Sequence, residues 1–185
     1  MIEDYKQLLH YLVFLGYTIN AIITDGFKGL NKAFKDYPIQ ICQFHQRKTI
    51  NRYLTRNPKL DIAINLQKIM KNLTTTTEEK FTLKLDIWYK KYKDILFAKS
   101  INPTTKKASY THPKVVSAYR SIRRNLSYLF TYKKYPNLNI HNTTNAIDGG
   151  VFSSMKKLMH VHAGLSKSLK LKIVDFYLVY YHKKL

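Results

Sequence analysis

The chain has 185 residues, 45% of them hydrophobic, enough to bury the core of one domain or a large part of one, which excludes a disordered tail. Its 32 Lys and Arg against 11 Asp and Glu leave a formal charge of +21, far more than solubility requires, so the expected partner is a polyanion; nucleic acid leads, with an anionic membrane surface as the rival. No apolar run approaches the ~18 residues that cross a bilayer, Glu3 and Asp4 are unlike the start of a signal peptide, and the single Cys42 excludes an internal disulfide and disfavours a thiolate zinc site, so a cytoplasmic protein outside the membrane is expected.

Residues 4 to 15 place Tyr5, Leu8, Leu9, Leu12 and Leu15 at helical spacing, and Gly16 is positioned to end that helix. The β-branched segment 17–24 (YTINAIIT) predicts a strand running into Asp25-Gly26, residues 27–35 a short helix, and 38–42 (PIQIC) a second strand. A strand, helix, strand order implies a parallel α/β sheet. From Phe44 to about Tyr132 the periodicity is helical. Lys48, Arg52 and Arg56 recur every four residues as one basic stripe suited to a phosphate backbone, on a helix that Asn57-Pro58 should stop. Pro58 suits the first turn of the next helix, whose core set is Ile62, Leu66, Ile69, Met70 and Leu73. Thr76 and Glu79 form a capping box before a helix that buries Phe81, Leu85, Trp88 and Leu96. Residues 98–113 lack periodicity and are expected as a mobile loop. Helix resumes at about Lys114 with Val115, Tyr119, Ile122, Leu126 and Leu129 inward and Arg120, Arg123 and Arg124 on other faces. After a loop over 133–142, Thr143 or Thr144 caps a helix burying Ile147, Val151, Met155, Leu158 and Met159, and a last helix to about His182 buries Leu169, Ile173, Phe176 and Tyr180.

Two acids carry the clearest chemistry. Asp25 follows a buried strand, where α/β sheets present ligands and metals; Asp-Gly there is equally a common turn. Asp148 precedes Gly149-Gly150, two residues that each cost a helix about 1 kcal/mol relative to Ala, which leaves either room for close backbone approach or a loosely wound helix start. Cys42 and His45 stand three apart, and His160 and His162 two apart, but a zinc site needs more ligands, and contact with phosphate or solvent suits these imidazoles better.

Taken in order, IITDGFKGL, CQFH, a long helical stretch and TTNAIDGGVFSSMKKLMHVHAGLS resemble the Mutator-superfamily insertion-sequence transposases of bacteria, in particular the variant with a zinc-binding N-terminus. In that family T-D-G carries the second acid of a DDE triad, a C-x-x-H element follows, and the third acid lies in T-T-N-x-I-E-G-G. The resemblance implies a partial RNase H-like core over 1–45 (strands near 17–24 and 38–42), an all-helical insertion over 46–138, and C-terminal helices over 139–185 that complete the core. It assigns Asp25 and Asp148 as catalytic metal ligands for Mg²⁺ or Mn²⁺, two ions in the complete enzyme. The reaction implied is cut-and-paste transposition: hydrolysis at a transposon end, then attack of the freed 3′-hydroxyl on target DNA. Among the DNA contacts, His45, Arg47, Lys48, Arg52 and Arg56 come from the first part of the chain, and Asn145, Lys156 and Lys157 from the last motif.

Two departures qualify the match. No counterpart of the first acid precedes Asp25, and Asp148 stands where the family has Glu, so a truncated or split transposase, inactive by itself, is the expectation. Double-stranded DNA, both transposon ends and target, is the implied partner, bound by a homo-oligomer. A non-catalytic basic DNA-binding remnant and another RNase H-like nuclease are the alternatives.

Overall fold

The structure, a computed structural model, describes residues 2–182. Helix α1 (Ile2–Phe14) ends where Gly16 adopts a φ of 86°, a left-handed turn that glycine takes without steric cost. Of the strand expected over 17–24, only β1 (Ile22–Thr24) is paired, because β2 (Ile39–Ile41) offers three partners. The two are parallel, with Ile22 opposite Ile39 and Thr24 opposite Ile41. Ile22 N–H donates to the Pro38 carbonyl and Cys42 N–H to that of Thr24, so the ladder is closed at both ends. The helix expected over 27–35 shrinks to α2 (Leu30–Ala33), since Gly29 with φ 97° breaks the chain just before it.

Behind β2 lies a helical core. Its elements are α3 (Gln43–Leu54), α4 (Asp61–Lys71), α5 (Glu78–Phe97) and α6 (Pro113–Leu129). Ile41 of the sheet belongs to the same buried cluster as Ile50, Leu66, Leu85, Trp88 and Ile122. Each such side chain contributes about 1.5–3 kcal/mol by leaving water. Trp88 ties three helices together: its indole N–H donates to the Ile62 carbonyl of α4 at 3.0 Å, and its ring lies 5.4 Å from that of Tyr119 on α6.

Buried glutamines join the sheet to the end of α6. Gln40 Nε2 donates to the carbonyls of Ile41 and Leu129 while its Oε1 accepts from Tyr132 N–H, and Gln43 Nε2 donates to the Leu129 carbonyl at 2.9 Å. Thr131, at the start of α7 (Thr131–Lys134), donates its hydroxyl to the Ile39 carbonyl at 2.6 Å. This segment and the 3₁₀ turn Pro136–Leu138 occupy what was expected as plain loop.

Other boundaries differ from expectation for local reasons. α3 stops at Leu54 because Thr55 turns to a φ of 67°, so Arg56 lies off the helix. Pro58 precedes α4 instead of sitting in its first turn, which begins at Asp61 after Leu60. The cap of α5 is Thr77, whose Oγ1 accepts from Lys80 N–H at 3.3 Å; Thr76 is buried and its carbonyl accepts from Lys133 Nζ. Residues 98–113 are a β-hairpin, β3 (Lys99–Ile101) antiparallel to β4 (Ala108–Tyr110), so the stretch expected to be all-helical contains a small sheet.

Glu79 reports on the α5 cap. A hydrogen bond from its own backbone N–H, then one from the Thr77 hydroxyl, hold its carboxyl below the ordinary 4.5. A depressed folded value means the stabilisation is present above 4.5 and is lost as pH falls through the folded value. An NMR titration of the Glu79 carboxyl should give a midpoint below 4.5 that moves back toward it in Thr77→Ala, and an unmoved midpoint in that variant would count against the cap.

The chain forms two compact units, dividing between Thr143 and Thr144. In the second, the helical turn opens at Asn145 just after Thr144, whose carbonyl accepts from Ile147 N–H at 3.1 Å, and a π-helical stretch, Ala146–Phe152, continues into α8 (Ser153–Val161) and, after a turn, α9 (Lys167–His182). The stripe expected to be buried here is not: Ile147 is exposed, and Val151, Met155, Leu158 and Met159 are half-buried. On α9, Leu169, Phe176 and Tyr180 are exposed as well, and Ile173 is half-buried. A pair of helices has too little facing surface to cover so many apolar side chains.

Candidate nucleic-acid interface

Three elements of the first unit converge on one groove. The carboxyl end of β1 supplies Asp25, α3 supplies His45, Arg47, Lys48 and Arg52, the turn after α3 supplies Arg56, and α6 supplies Arg124; they line a space of about 920 Å³. Five of these side chains are Lys or Arg, and Asp25 is the sole acid among the lining residues. Every first-unit residue assigned from the sequence to catalysis or DNA contact therefore meets in this groove.

The turn at the β1 end is realised physically. Asp25 Oδ1 accepts from Phe27 N–H at 2.9 Å, and Gly26 N–H donates to Thr24 Oγ1 at 3.2 Å. Gly26 has a φ of 86°, a backbone conformation that glycine takes without steric cost. Asp25 serves the turn with one oxygen while its side chain stays exposed at the groove. The turn reading and the ligand reading are thus compatible.

Beneath the groove, α3 and α6 are locked by buried polar side chains. Asn125 Nδ2 donates to Gln46 Oε1 at 2.7 Å, and Gln46 Nε2 donates to Ser121 Oγ at 3.3 Å. Satisfied networks of this kind fix relative position. The network sets the spacing between the α3 cations and Arg124.

Arg124, Phe27 and Phe44 are lining residues that sequence reasoning passed over. Both phenylalanines are exposed, and Phe44 meets the His45 ring edge-on at 5.5 Å. Exposed aromatics beside cations offer stacking faces to bases. Phe27 directly follows Asp25-Gly26 and Phe44 lies between Cys42 and His45, so proximity to the motifs was the available signal. Arg123, one residue before Arg124, is committed elsewhere: burial alone would lower its guanidinium, but hydrogen bonds to Asp86 and Tyr119 raise it above the ordinary value.

Arginine usage sharpens the picture. The chain holds 26 Lys and 6 Arg, a skew that the codons of an AT-rich genome would produce, yet four of the six Arg line this groove with one Lys. Guanidinium forks match phosphate oxygens two at a time, which ammonium groups cannot do.

No family model, curated protein or solved structure matches this chain.

The remaining assigned residues lie in the second unit. Asn145, Lys156 and Lys157 are exposed there, and Asp148 lies in the π-helical turn, with its side chain outside the described residues. Among the described residues no group of three or more His, Cys, Asp or Glu could hold a metal ion. Cys42 is fully buried before α3, consistent with packing. A two-ion phosphoryl-transfer centre holds its metals about 4 Å apart on several oxygen ligands. The groove offers a single carboxylate, so its residues alone do not fit that centre, whereas they do fit a phosphate backbone. No helix among the described residues is long and apolar enough to cross a membrane.

Proposed function

We propose that this chain binds duplex DNA along the α3–α6 groove, as part of a DDE transposase of the Mutator superfamily in which β1 and β2 belong to an RNase H-like core. The observation that carries the DNA-binding reading is the gathering of Arg47, Lys48, Arg52, Arg56 and Arg124 around one space with a lone acid. The transposase reading adds the T-D-G motif at the end of β1, the parallel β1–β2 pair, and the position of the I-D-G-G motif in a π-helical turn, a distortion frequent at functional sites. It assigns Asp25 and Asp148 to Mg²⁺ or Mn²⁺ binding in the complete enzyme, the chain acting as a homo-oligomer on transposon ends and target. A second reading, a non-catalytic DNA-binding protein, is favoured by the single carboxylate in the groove.

A binding titration with a short labelled duplex tests both. The plot of log K against log salt should have a slope of about −4 or steeper, since five cations on five phosphates contribute about −0.9 each. A flat plot overturns DNA binding altogether. Asp25→Asn should tighten binding without Mg²⁺, because it removes the groove's one negative charge. If Asp25 is a metal ligand, Mg²⁺ at constant ionic strength should strengthen binding by the natural chain and not by the variant. Equal responses of the two would favour the non-catalytic reading. The chain by itself should nick DNA little with Mg²⁺; robust nicking abolished by Asp148→Ala would show that its own acids suffice.

A further inference from the structure

The β3–β4 hairpin is an ordered basic prong. Lys99 pairs with Tyr110, Ser100 with Ser109 and Ile101 with Ala108. Asn102 closes the tip: its N–H donates to the Lys107 carbonyl, its own carbonyl accepts from Lys106 N–H, and its Oδ1 accepts from the N–H groups of both Thr104 and Thr105 at 2.9 Å. At the base, Tyr110 lies 6.1 Å from the ring of Phe97, and its hydroxyl accepts from Arg120 Nη2 at 3.0 Å with the guanidinium 5.3 Å from its ring. Tip and base are therefore both fixed.

Between them the ribbon has nothing to cover. Apart from half-buried Tyr110, every residue of both strands is exposed, Ile101 at 68%. A two-stranded ribbon without a core beneath it is marginal on its own, and its exposed side chains are open to contact by another molecule. Residues 98–114 carry Lys99, Lys106, Lys107 and Lys114, the hydroxyls of Ser100, Thr104, Thr105 and Ser109, and no acid. Arg120 at the ribbon's base and Arg124 in the groove are both exposed and lie one helical turn apart on α6, a rise of about 6 Å. The cationic line of the groove thus runs along α6 to the hairpin.

We propose that the hairpin 99–110 enters the major groove of the duplex that the α3–α6 groove holds, with Lys106 and Lys107 on flanking phosphates and the Ser and Thr hydroxyls at base edges. The major groove admits a two-stranded β-ribbon, and the small side chains of Ser100, Ala108 and Ser109 keep this one slim. Lysines on phosphates position the ribbon, and hydroxyls can donate to or accept from any base. The inference rests on the DNA-binding reading above.

The test compares the natural chain with Lys106→Ala/Lys107→Ala, both exposed positions whose loss leaves the fold intact, in a duplex titration and in dimethyl sulfate protection of the bound duplex. The natural chain should shield guanine N7 over a short stretch. The double variant should lose that protection, bind about tenfold or more weakly, and show a salt slope shallower by about 2. Asn102→Ala, which frees the tip but keeps its charge, should lose N7 protection with a smaller drop in affinity. Duplex binding with affinity, slope and protection unchanged in the double variant overturns this inference and leaves the groove assignment standing. Protection confined to adenine N3, a minor-groove atom, also overturns it. Failure of the natural chain to bind any duplex overturns both.

Discussion

Reversing three groove charges together, Lys48→Glu, Arg52→Glu and Arg124→Glu, is expected to weaken duplex binding by about a thousandfold or more near 0.1 M salt. Each phosphate contact releases about 0.9 of a counterion, which at that salt is worth roughly eightfold, so three lost contacts multiply to several hundredfold before repulsion is added. The slope against log salt should become shallower by about 3 for the same reason. Stability should change little, because all three side chains are exposed and surface substitutions are usually within about 0.5 kcal/mol. Net charge needs its own control. Lys84→Glu, Lys91→Glu and Lys93→Glu on exposed positions of α5 make the same change in total charge away from the groove lining. If that control weakens binding as much as the groove variant, affinity comes from diffuse charge and the groove is not the site.

On the proposed DNA-binding reading, a Lys-rich protein still has a defined contact surface. Diffuse lysines raise the local concentration of DNA without choosing a register, whereas arginines held at fixed spacing by a buried network select where phosphates can sit. Gln46, Asn125 and Ser121 supply that network below Arg52 and Arg124. In the proposed complex the hairpin extends that contact beyond the groove along the same helix, next to Arg120, which holds the Tyr110 hydroxyl at its base.

Where a pattern repeats over many residues, the sequence was legible. The core set Ile62, Leu66, Met70, Phe81, Leu85, Trp88, Ile122 and Leu129 is buried as its spacing implies, and Gly16 ends α1. The parallel β1–β2 pair followed from the strand, helix, strand order, whereas the meeting of Asp25 with the α3 cations was not read from the sequence. Features decided by one local torsion or one distant partner were not legible. Thr55 at positive φ cuts α3 short, and the length of β2 limits β1. The hairpin is invisible to periodicity because its strands are three residues long and exposed, and Asn102 holds its turn through its own side chain. Arg124 was passed over because its importance comes from α3 lying opposite, a tertiary fact. In the second unit, helical spacing located α8 and α9 but not their burial, which depends on what surrounds them.

Trp88→Ala should be the most damaging single substitution in the first unit, lowering its stability by about 3–5 kcal/mol. The indole is 3% exposed, so its removal leaves a cavity between α4, α5 and α6 and deprives the Ile62 carbonyl of its donor. An orphaned buried acceptor adds about 1–3 kcal/mol. Trp88→Phe separates the two effects, since it keeps a ring beside Tyr119 and Tyr92 but removes the N–H; it should fall well short of the alanine loss. Denaturant melts of the three proteins give the order directly, and an alanine variant within about 1 kcal/mol of the natural chain would mean the three helices do not depend on this anchor. The substitution also reaches the groove. Tyr119 lies on α6 between the cavity and the turn that bears Arg120, Ser121 and Arg124, so a collapse of α6 toward the missing ring would shift Arg124 against the α3 cations. Weaker duplex binding by Trp88→Ala under conditions where it remains folded, with binding restored in Trp88→Phe, is the expected consequence, and it would show that the core sets the spacing at which this protein meets phosphate.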